Sequence, residues 1–437
     1  MGTHRQPTEP AGRQRAARRG VTAVVMTYAP AKQYLLIGPE TTQGQPVTGA
    51  FTVLVDSLKP KDTPKWLEDK SWRGSMGTEA FAEIQGVKAS EFDVGGPVYA
   101  DSLPFFLRNI LGDLAVTGTP TGSGATTLAT AAAAGATSIQ TAASIPAGTL
   151  VQIGTGPTAE CVTTGTPAGS GPYTIPITSP AGGLAYQHAS AQAVTPVTGP
   201  YTYAWSLLNS GSGQPVSHTL THYLGPTATT GARQYPGASL SELVLQFNAE
   251  SELLKWTGKG SAWPSVPATT LPPANPTSTL PIASWRTTVG IGGPAAGGTL
   301  VNTVTDGEVT IKRELGVYYT TTGVPTPYVI QRGGLSVEGK LNFGAVSDES
   351  ALLYMLNNTQ PQVQIISSNG LSGASLCVVQ LDMQIAAFTT AEAETSKTAV
   401  GYQDEFKALF NTSNAGGSGG MSPIRVSVTN NVPPNTY

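Results

Sequence analysis

The residues from Glu83 to Asp113, EIQGVKASEFDVGGPVYADSLPFFLRNILGD, return in outline at Ile330–Asn358 as IQRGGLSVEGKLNFGAVSDESALLYMLNN. Each copy opens on Ile-Gln and one or two glycines, runs through a strand-like stretch and ends in a short apolar helix. Ile84 to Asp101 is 17 residues and Ile330 to Asp348 is 18, so the spacing is kept. A unit that recurs at long range constrains a fold more than local propensity does, because both copies must bury the same face.

Within the second copy Leu335, Val337, Leu341 and Phe343 alternate with Ser336, Glu338, Lys340 and Asn342, the period of a half-buried strand. In the first copy the apolar positions change phase between Ala89 and Phe92, and a bulge at Ser90–Glu91 would account for that. The first helix is expected after Asp101 or Ser102 as cap, with Pro104 in its first turn and Leu103, Phe106, Leu107 and Ile110 on one face. The second starts after Ser347 or Asp348 and offers Leu352, Met355 and Leu356. Helices of about 10 residues hold only when packed on a sheet.

Charged residues make up 12% of the 437-residue chain, beside 51 glycines and 34 prolines, which indicates a mainly β protein rich in turns. The length allows two or three domains. The net charge is −3; residues 1–25 hold five arginines and one glutamate, +4, so the remainder carries −7. Such a body has no basic field to grip phosphates. Residues 1–25 are expected to be a disordered basic arm, with Met26 an alternative start. VTAVVM is too short for a secretory core, and no apolar run approaches the about 18 residues of a membrane span. Cys161 and Cys377 read as two unpaired buried thiols.

The first host domain is expected over 26–117 and 198–263. Ala50–Leu58 reads as a strand and Lys59–Met76 as a long loop holding Lys59, Lys61, Lys65, Lys70, Arg73, Trp66 and Trp72. Tryptophan and arginine anchor protein contacts, so an inter-subunit role is expected for these seven residues, the alternative being a loop folded on its own core. Between 114 and 232 Glu160 is the one charged residue; residues 118–197 read as a small inserted β-module with strands TSIQTA, TLVQIG, AECVTTG and YTIPITSP. A Pro-rich linker, 264–283, should be extended rather than packed, and 284–437 forms the second domain. The Gly/Ser run Gly416–Gly420 reads as a flexible joint.

No pattern carries enzyme chemistry. His218 and His222 sit at i and i+4, but the Thr-rich context makes them polar residues on a strand face rather than a metal site. Gly334–Lys340 has the GxxxxGK shape with Leu341 where Ser or Thr must stand, inside a clean strand alternation. No GxSxG elbow occurs, and no acid/base carboxylate pair can be named. No cofactor or metal is expected.

YLLIGPETTQGQPVTGAF, GTEAFAEIQGVKASEFDVGGPVYADSLPFFLRNILGD and PYVIQRGGLSVEGKLNF, in this order, resemble the tail tube proteins of long-tailed bacteriophages over about 33–113 and 201–430. The resemblance implies two tandem β-barrel or sandwich domains, each with one flanking short helix, plus the insert. It implies side-by-side assembly into rings that stack into a tube, with the loop after the first strand reaching the neighbouring ring. Implied partners are further copies of the chain, tape measure, tail terminator and baseplate proteins, and double-stranded DNA in transit, with no membrane. The place is the virion tail, assembled in the host cytoplasm. Two domains per chain imply three chains per ring, a hexamer of single larger domains being the alternative. The lumen is expected to be lined by acidic and neutral groups, with Glu83, Glu91, Asp93 and Glu338 as candidates. A competing reading is another virion or cell-surface protein, such as a capsid decoration or glycan-binding β-module.

Overall fold

A chain with little charge, many β-branched residues and many glycines satisfies its backbone by pairing strands, and strands dominate here. The computed structural model describes residues 30–437 apart from 75, 77–79, 226–231, 251, 271, 297–298, 345, 348 and 396–397. The basic arm 1–25 and the cap position Asp348 lie outside the described residues.

In chain order the first half holds β1 (Tyr34–Pro39), β2 (Phe51–Val53), β3 (Ser57–Asp69), β4 (Ala82–Pro97), helix α1 (Leu103–Ile110) and β5 (Gly112–Pro120). Short strands follow: β6 (Thr126–Thr127), β7 (Ser138–Thr141), β8 (Leu150–Ile153), β9 (Glu160–Thr164) and β10 (Tyr173–Thr178). Then come β11 (Ala193–Leu207), β12 (His218–Tyr223), β13 (Ala232–Asn248), β14 (Lys255–Ala262) and β15 (Val266–Pro267). The second half opens with β16 (Thr287–Ile291), β17 (Leu300–Val301), β18 (Val304–Tyr318), β19 (Val329–Phe343) and α2 (Ser350–Leu356). It closes with β20 (Val363–Ser368), β21 (Val378–Met383), β22 (Ala386–Glu394), β23 (Gly401–Ala408) and β24 (Arg425–Asn430).

These strands form two antiparallel sheets, and each sheet draws on both halves. One runs β3-β4-β14-β13-β18-β19-β23-β22, while the N-terminal part of β13 leads off to β12, β1 and β2. The other runs β17-β16-β20-β21-β24-β11, with β5 also on β11. The C-terminal β24 lies between the halves, pairing with β11 on one side and β21 on the other. One buried cluster fills the space between the sheets and contains Phe92, Trp205, Leu243, Val309, Val337, Leu381 and Phe406. The two halves therefore share a core rather than keeping one each.

The internal repeat is much clearer in the registers than in the residues. In the β3–β4 hairpin the pairing steps from Pro64↔Lys88 to Trp66↔Gln85, which leaves Gly86 and Val87 opposite one residue. In the β18–β19 hairpin it steps from Arg313↔Leu335 to Leu315↔Arg332, which leaves Gly333 and Gly334 opposite one residue. The bulge thus sits at Gly86–Val87 rather than at Ser90–Glu91. From Ser90 onward the first copy alternates cleanly, with Phe92 and Val94 inward and Glu91 and Asp93 outward. A second bulge repeats as well: Ser241 is the extra residue of β13 against β14, and Thr389 is the extra residue of β22 against β23. A cross-strand phenylalanine–glycine pair also recurs with its partners exchanged. Phe92 of β4 faces Gly260 of β14, and Phe406 of β23 faces Gly339 of β19. A Cβ on Gly260 would stand 2.6 Å from the Phe92 ring, and one on Gly339 would stand 2.1 Å from the Phe406 ring. Each ring occupies the space its glycine's side chain would take.

Helix α1 buries Leu103, Phe106, Leu107 and Ile110 as the pattern predicts, and Phe105 and Asn109 besides. Ser102 holds the N-cap position without a side-chain capping bond, its hydroxyl instead donating to Tyr99 O at 3.4 Å. In α2 only Ala351 is fully buried; Met355 packs partly on the core, and Leu356 is 63% exposed.

Three expectations fail for one reason, tertiary packing against neighbours distant in sequence. Lys59–Met76 is not a loop: most of it is the outer strand of a long β3–β4 hairpin. The Pro-rich segment is packed, not free. Val266–Pro267 pairs with β13, Tyr34 and Tyr223 hydroxyls donate to Pro272 O and Thr270 O, and Ile282 is fully buried between Val98 and Leu254 backbones. The Gly/Ser run is held too. Asp113 accepts from Ser418 N and Oγ, and Asn209 Nδ2 donates to Gly419 O at 2.9 Å.

Residues 128–194 carry a second, separate buried cluster that includes Leu128, Ile139, Val151, Val162, Ile175 and Val194. The four strands read from the sequence are β7 to β10. The lone charge, Glu160, is buried and accepts hydrogen bonds from Ala185 N, Tyr186 N and His188 Nε2 at 2.9, 3.2 and 2.7 Å, so it pins a loop across the module. The neighbouring Tyr186 hydroxyl donates to Asp113 Oδ1 and Leu114 O, which seats the module on its host.

Candidate functional site

Four surfaces have the geometry for assembly: an arm, an open sheet face, and the two ends of the first sheet. Beyond the bulge the β3–β4 hairpin projects with apolar side chains turned to solvent. Trp66 is 53% exposed, Ile84 60%, and Trp72 and Met76 fully so. Polar contacts order the hairpin end beneath them. Arg73 binds Asp69 at 2.5 Å and its guanidinium lies 5.1 Å over the Phe81 ring. Hydrogen bonds from Ser71 and Arg73 hold the Asp69 carboxyl below its ordinary range. Lys70 pairs with Glu68 at 2.5 Å. An arm that spends its polar groups on itself and leaves Trp and Ile outside exposes an apolar surface of the composition that protein contacts use. At the arm's base Lys88 N donates to Pro325 O at 2.9 Å, so the β18–β19 hairpin end touches it.

The open face of the first sheet carries alternating charge in cross-strand rows. One row reads Lys59, Asp93, Lys259, Glu242, Lys312, each directly opposite the next. Lys259 reaches Glu242 at 2.8 Å, and Lys312 reaches Glu338 at 3.2 Å on the same face. A second row reads Glu308, Lys340, Glu405. Lys61 stands opposite Glu91. The structure thus puts three of the four acidic lumen candidates, Glu91, Asp93 and Glu338, on one face, but interleaves them with lysines that include Lys59 and Lys61. Glu83 is elsewhere, opposite Glu68 on the arm beyond the bulge. Lys65 and Trp66 lie on the arm, Lys70, Trp72 and Arg73 at its end. The seven contact candidates therefore divide between face and arm. Exposed pairs of this kind contribute about 0.2–1 kcal/mol each, so the rows shape the field more than they hold the fold.

The joint between the halves shows how two copies of the repeat fit. Arg313 of β18 donates to Ile110 O and Gly213 O at 2.9 Å and to Gly333 O at 3.0 Å. Arg332 of β19 donates to Pro215 O at 2.8 Å and Asn109 Oδ1 at 3.1 Å. Both are buried; burial lowers the Arg313 guanidinium to about 10 and, with Arg313 nearby, Arg332 to about 9. They neutralise the carbonyl end of α1, where cations are favoured. Asn109 completes the seam, donating to Ala238 O and accepting from Leu240 N, both at 2.8 Å, with His218 Nδ1 at 2.9 Å. Sequence reasoning missed these arginines because an arginine in a strand reads as surface. The i/i+4 histidines proved to be strand residues, yet His218 and His222 are buried, not on a polar face, and burial lowers both below the usual imidazole value.

In the first sheet the two ends of the run from β3 to β22 pair on one side only among the described residues. Among those residues there is also no cluster of three or more metal-ligating side chains, and no helix is long and apolar enough to cross a membrane. The two thiols are free and buried, which pushes Cys161 up to about 12 and Cys377 to about 11.

A family model described as phage tail tube protein matches residues 30–431. No curated protein matches the chain.

Proposed function

This chain belongs to the phage tail tube protein family, and on that premise we propose that three copies close into a ring and that rings stack into the tube through which DNA leaves the virion. The observation that carries the ring is the intramolecular joint. The units β3-β4-β14-β13 and β18-β19-β23-β22 have the same order, the same bulges and the same Phe–Gly pair, and they already join edge to edge through β13 and β18. Repeating that joint from β22 to the β3 of the next copy consumes both open ends, and a heterologous contact of this kind closes when the rotation does. Six repeats then come from three chains.

The open face lines the lumen in this reading, since the other face is the core. Alternating lysines and carboxylates give DNA no continuous stripe of cations to release counterions against, so the duplex slides. The second sheet and the insert lie on the outside. The arm reaches the adjacent ring, with Trp66, Trp72 and Ile84 as its apolar contacts. The role is structural rather than catalytic. Tape measure, terminator and baseplate proteins are the expected partners at tube ends and lumen, in a virion tail assembled in the host cytoplasm.

Electron microscopy of the purified chain with mass measurement of isolated rings tests this. Rings of three chains around an open pore are expected; rings of six chains, or monomers that persist at high concentration, overturn it.

A further inference from the structure

The joint inside the chain also predicts the register of the joint between chains, down to which charges meet. Matching the bulges sets Arg313 of β18 against Pro64 of β3, and Ser241 of β13 against Thr389 of β22. Thr310 then corresponds to Lys61 and Glu308 to Lys59, while Val244 corresponds to Glu392 and Gln246 to Glu394. Inside the chain Val244 stands opposite Thr310 and Gln246 opposite Glu308. Carried across, we infer that β22 of one copy pairs antiparallel with β3 of a second copy so that Glu392 meets Lys61 and Glu394 meets Lys59. This rests on the ring reading and adds its register.

Two independent features agree with it. Positions that are uncharged or like-natured at the internal joint become acid-against-base pairs at the external one, and only in this register do both pairs match. Lys59, Lys61 and Glu392 are exposed in the single chain. A shift by one residue would instead send every side chain of β22 to the opposite face. The second feature lies at the helix. At the internal joint Asn109 near the end of α1 receives Arg332. The corresponding residue of α2 is Leu356, 63% exposed, and the residues corresponding to Arg332 and Arg313 are Gln85 and Pro64. The buried cations of the internal joint are thus replaced by neutral residues where an apolar side chain awaits cover. Pro60 and Pro64 have no N–H, so β3 offers a sparser edge than β18 does. That discourages pairing with arbitrary strands and leaves selection to side chains.

Charge reversal and cross-linking test the register. Lys61→Glu and Glu392→Lys each place like charges opposite one another, and each should raise the concentration needed for assembly about tenfold, while the double variant restores it. Urea unfolding of each variant's monomer should stay within about 1 kcal/mol of the parent, since both side chains are exposed and the new like-charge contact inside the chain is the surface pair Lys61→Glu makes with Glu91. A double variant no better than the singles overturns the register. Independently, Thr63→Cys with Thr390→Cys places two thiols at directly opposed positions, within disulfide reach. Oxidation should give covalent dimers and trimers, and Thr63→Cys with Glu392→Cys should give at least tenfold less. The reverse preference, or no cross-link in rings that form normally, overturns the register and leaves the ring reading standing. Absence of rings in the parent protein overturns the ring reading itself.

Discussion

Asp404 sits in the middle of β23, between Leu341 of β19 and Ala391 of β22, fully buried, with neither carboxylate oxygen hydrogen-bonded. Burial raises its pKa to about 7. The unfolded chain titrates this carboxyl at about 3.9, so the folded state holds the proton over the interval between the two values and stability falls as pH rises through it. At pH 8 the penalty is fully present, about 4 kcal/mol as a ceiling; at pH 5 it is about 1.5 kcal/mol. Asp404→Asn removes the ionisation but leaves an unpartnered amide, which costs about 1–2 kcal/mol at either pH. The variant should therefore equal the parent at pH 5 and exceed it by about 2–3 kcal/mol at pH 8. Urea unfolding of the unassembled chain at pH 5, 6.5 and 8 reads this directly, because every other titrating group cancels in the difference between variant and parent. A difference that stays constant with pH, or a variant less stable at pH 8, would refute the buried, unpaired carboxyl.

Three further outcomes follow from the packing. Asn109→Ala strips the seam of contacts to Ala238, Leu240 and Arg332, and should cost about 3–5 kcal/mol in urea unfolding because it leaves a buried carbonyl, a buried amide and one guanidinium N–H without their partner. Gly339→Ala drives a methyl into the Phe406 ring and should cost about 1–3 kcal/mol, whereas Gly334→Ala, with open space around it, should cost less than about 1 kcal/mol by the same measurement. Trp66→Ala with Trp72→Ala should leave the melting temperature within about 2 °C yet shorten or abolish tubes in micrographs, since both rings are in solvent in the single chain.

The arm, the open sheet face and the sheet edges were unequally visible in the residues. Period-two alternation located β19, because a strand half in water must alternate whatever it packs against. The inward face of α1 was legible from the spacing of its apolar residues, although Phe105 and Asn109 are buried as well, and the repeat showed itself in Ile-Gln with nearby glycines and in the helix that follows. By itself, then, the sequence determined the mainly β class, the strand of the second copy, the four strands at 138–178 and the apolar face of the first helix. It did not determine what lies beside what. Nothing local distinguishes a long loop from the outer strand of a hairpin when that strand carries Pro60, Pro64 and six charged residues. Nothing local marks Arg313 and Arg332 as buried, since their partners are carbonyls at Ile110, Gly213 and Pro215. The Pro-rich segment and the Gly/Ser run have flexible compositions, yet they are pinned by hydroxyls, amides and a carboxylate from far along the chain. Only the tertiary structure brought lysines between the acidic residues of the open face, because cross-strand neighbours are set by register, and register depends on bulges whose positions the apolar pattern alone misplaced.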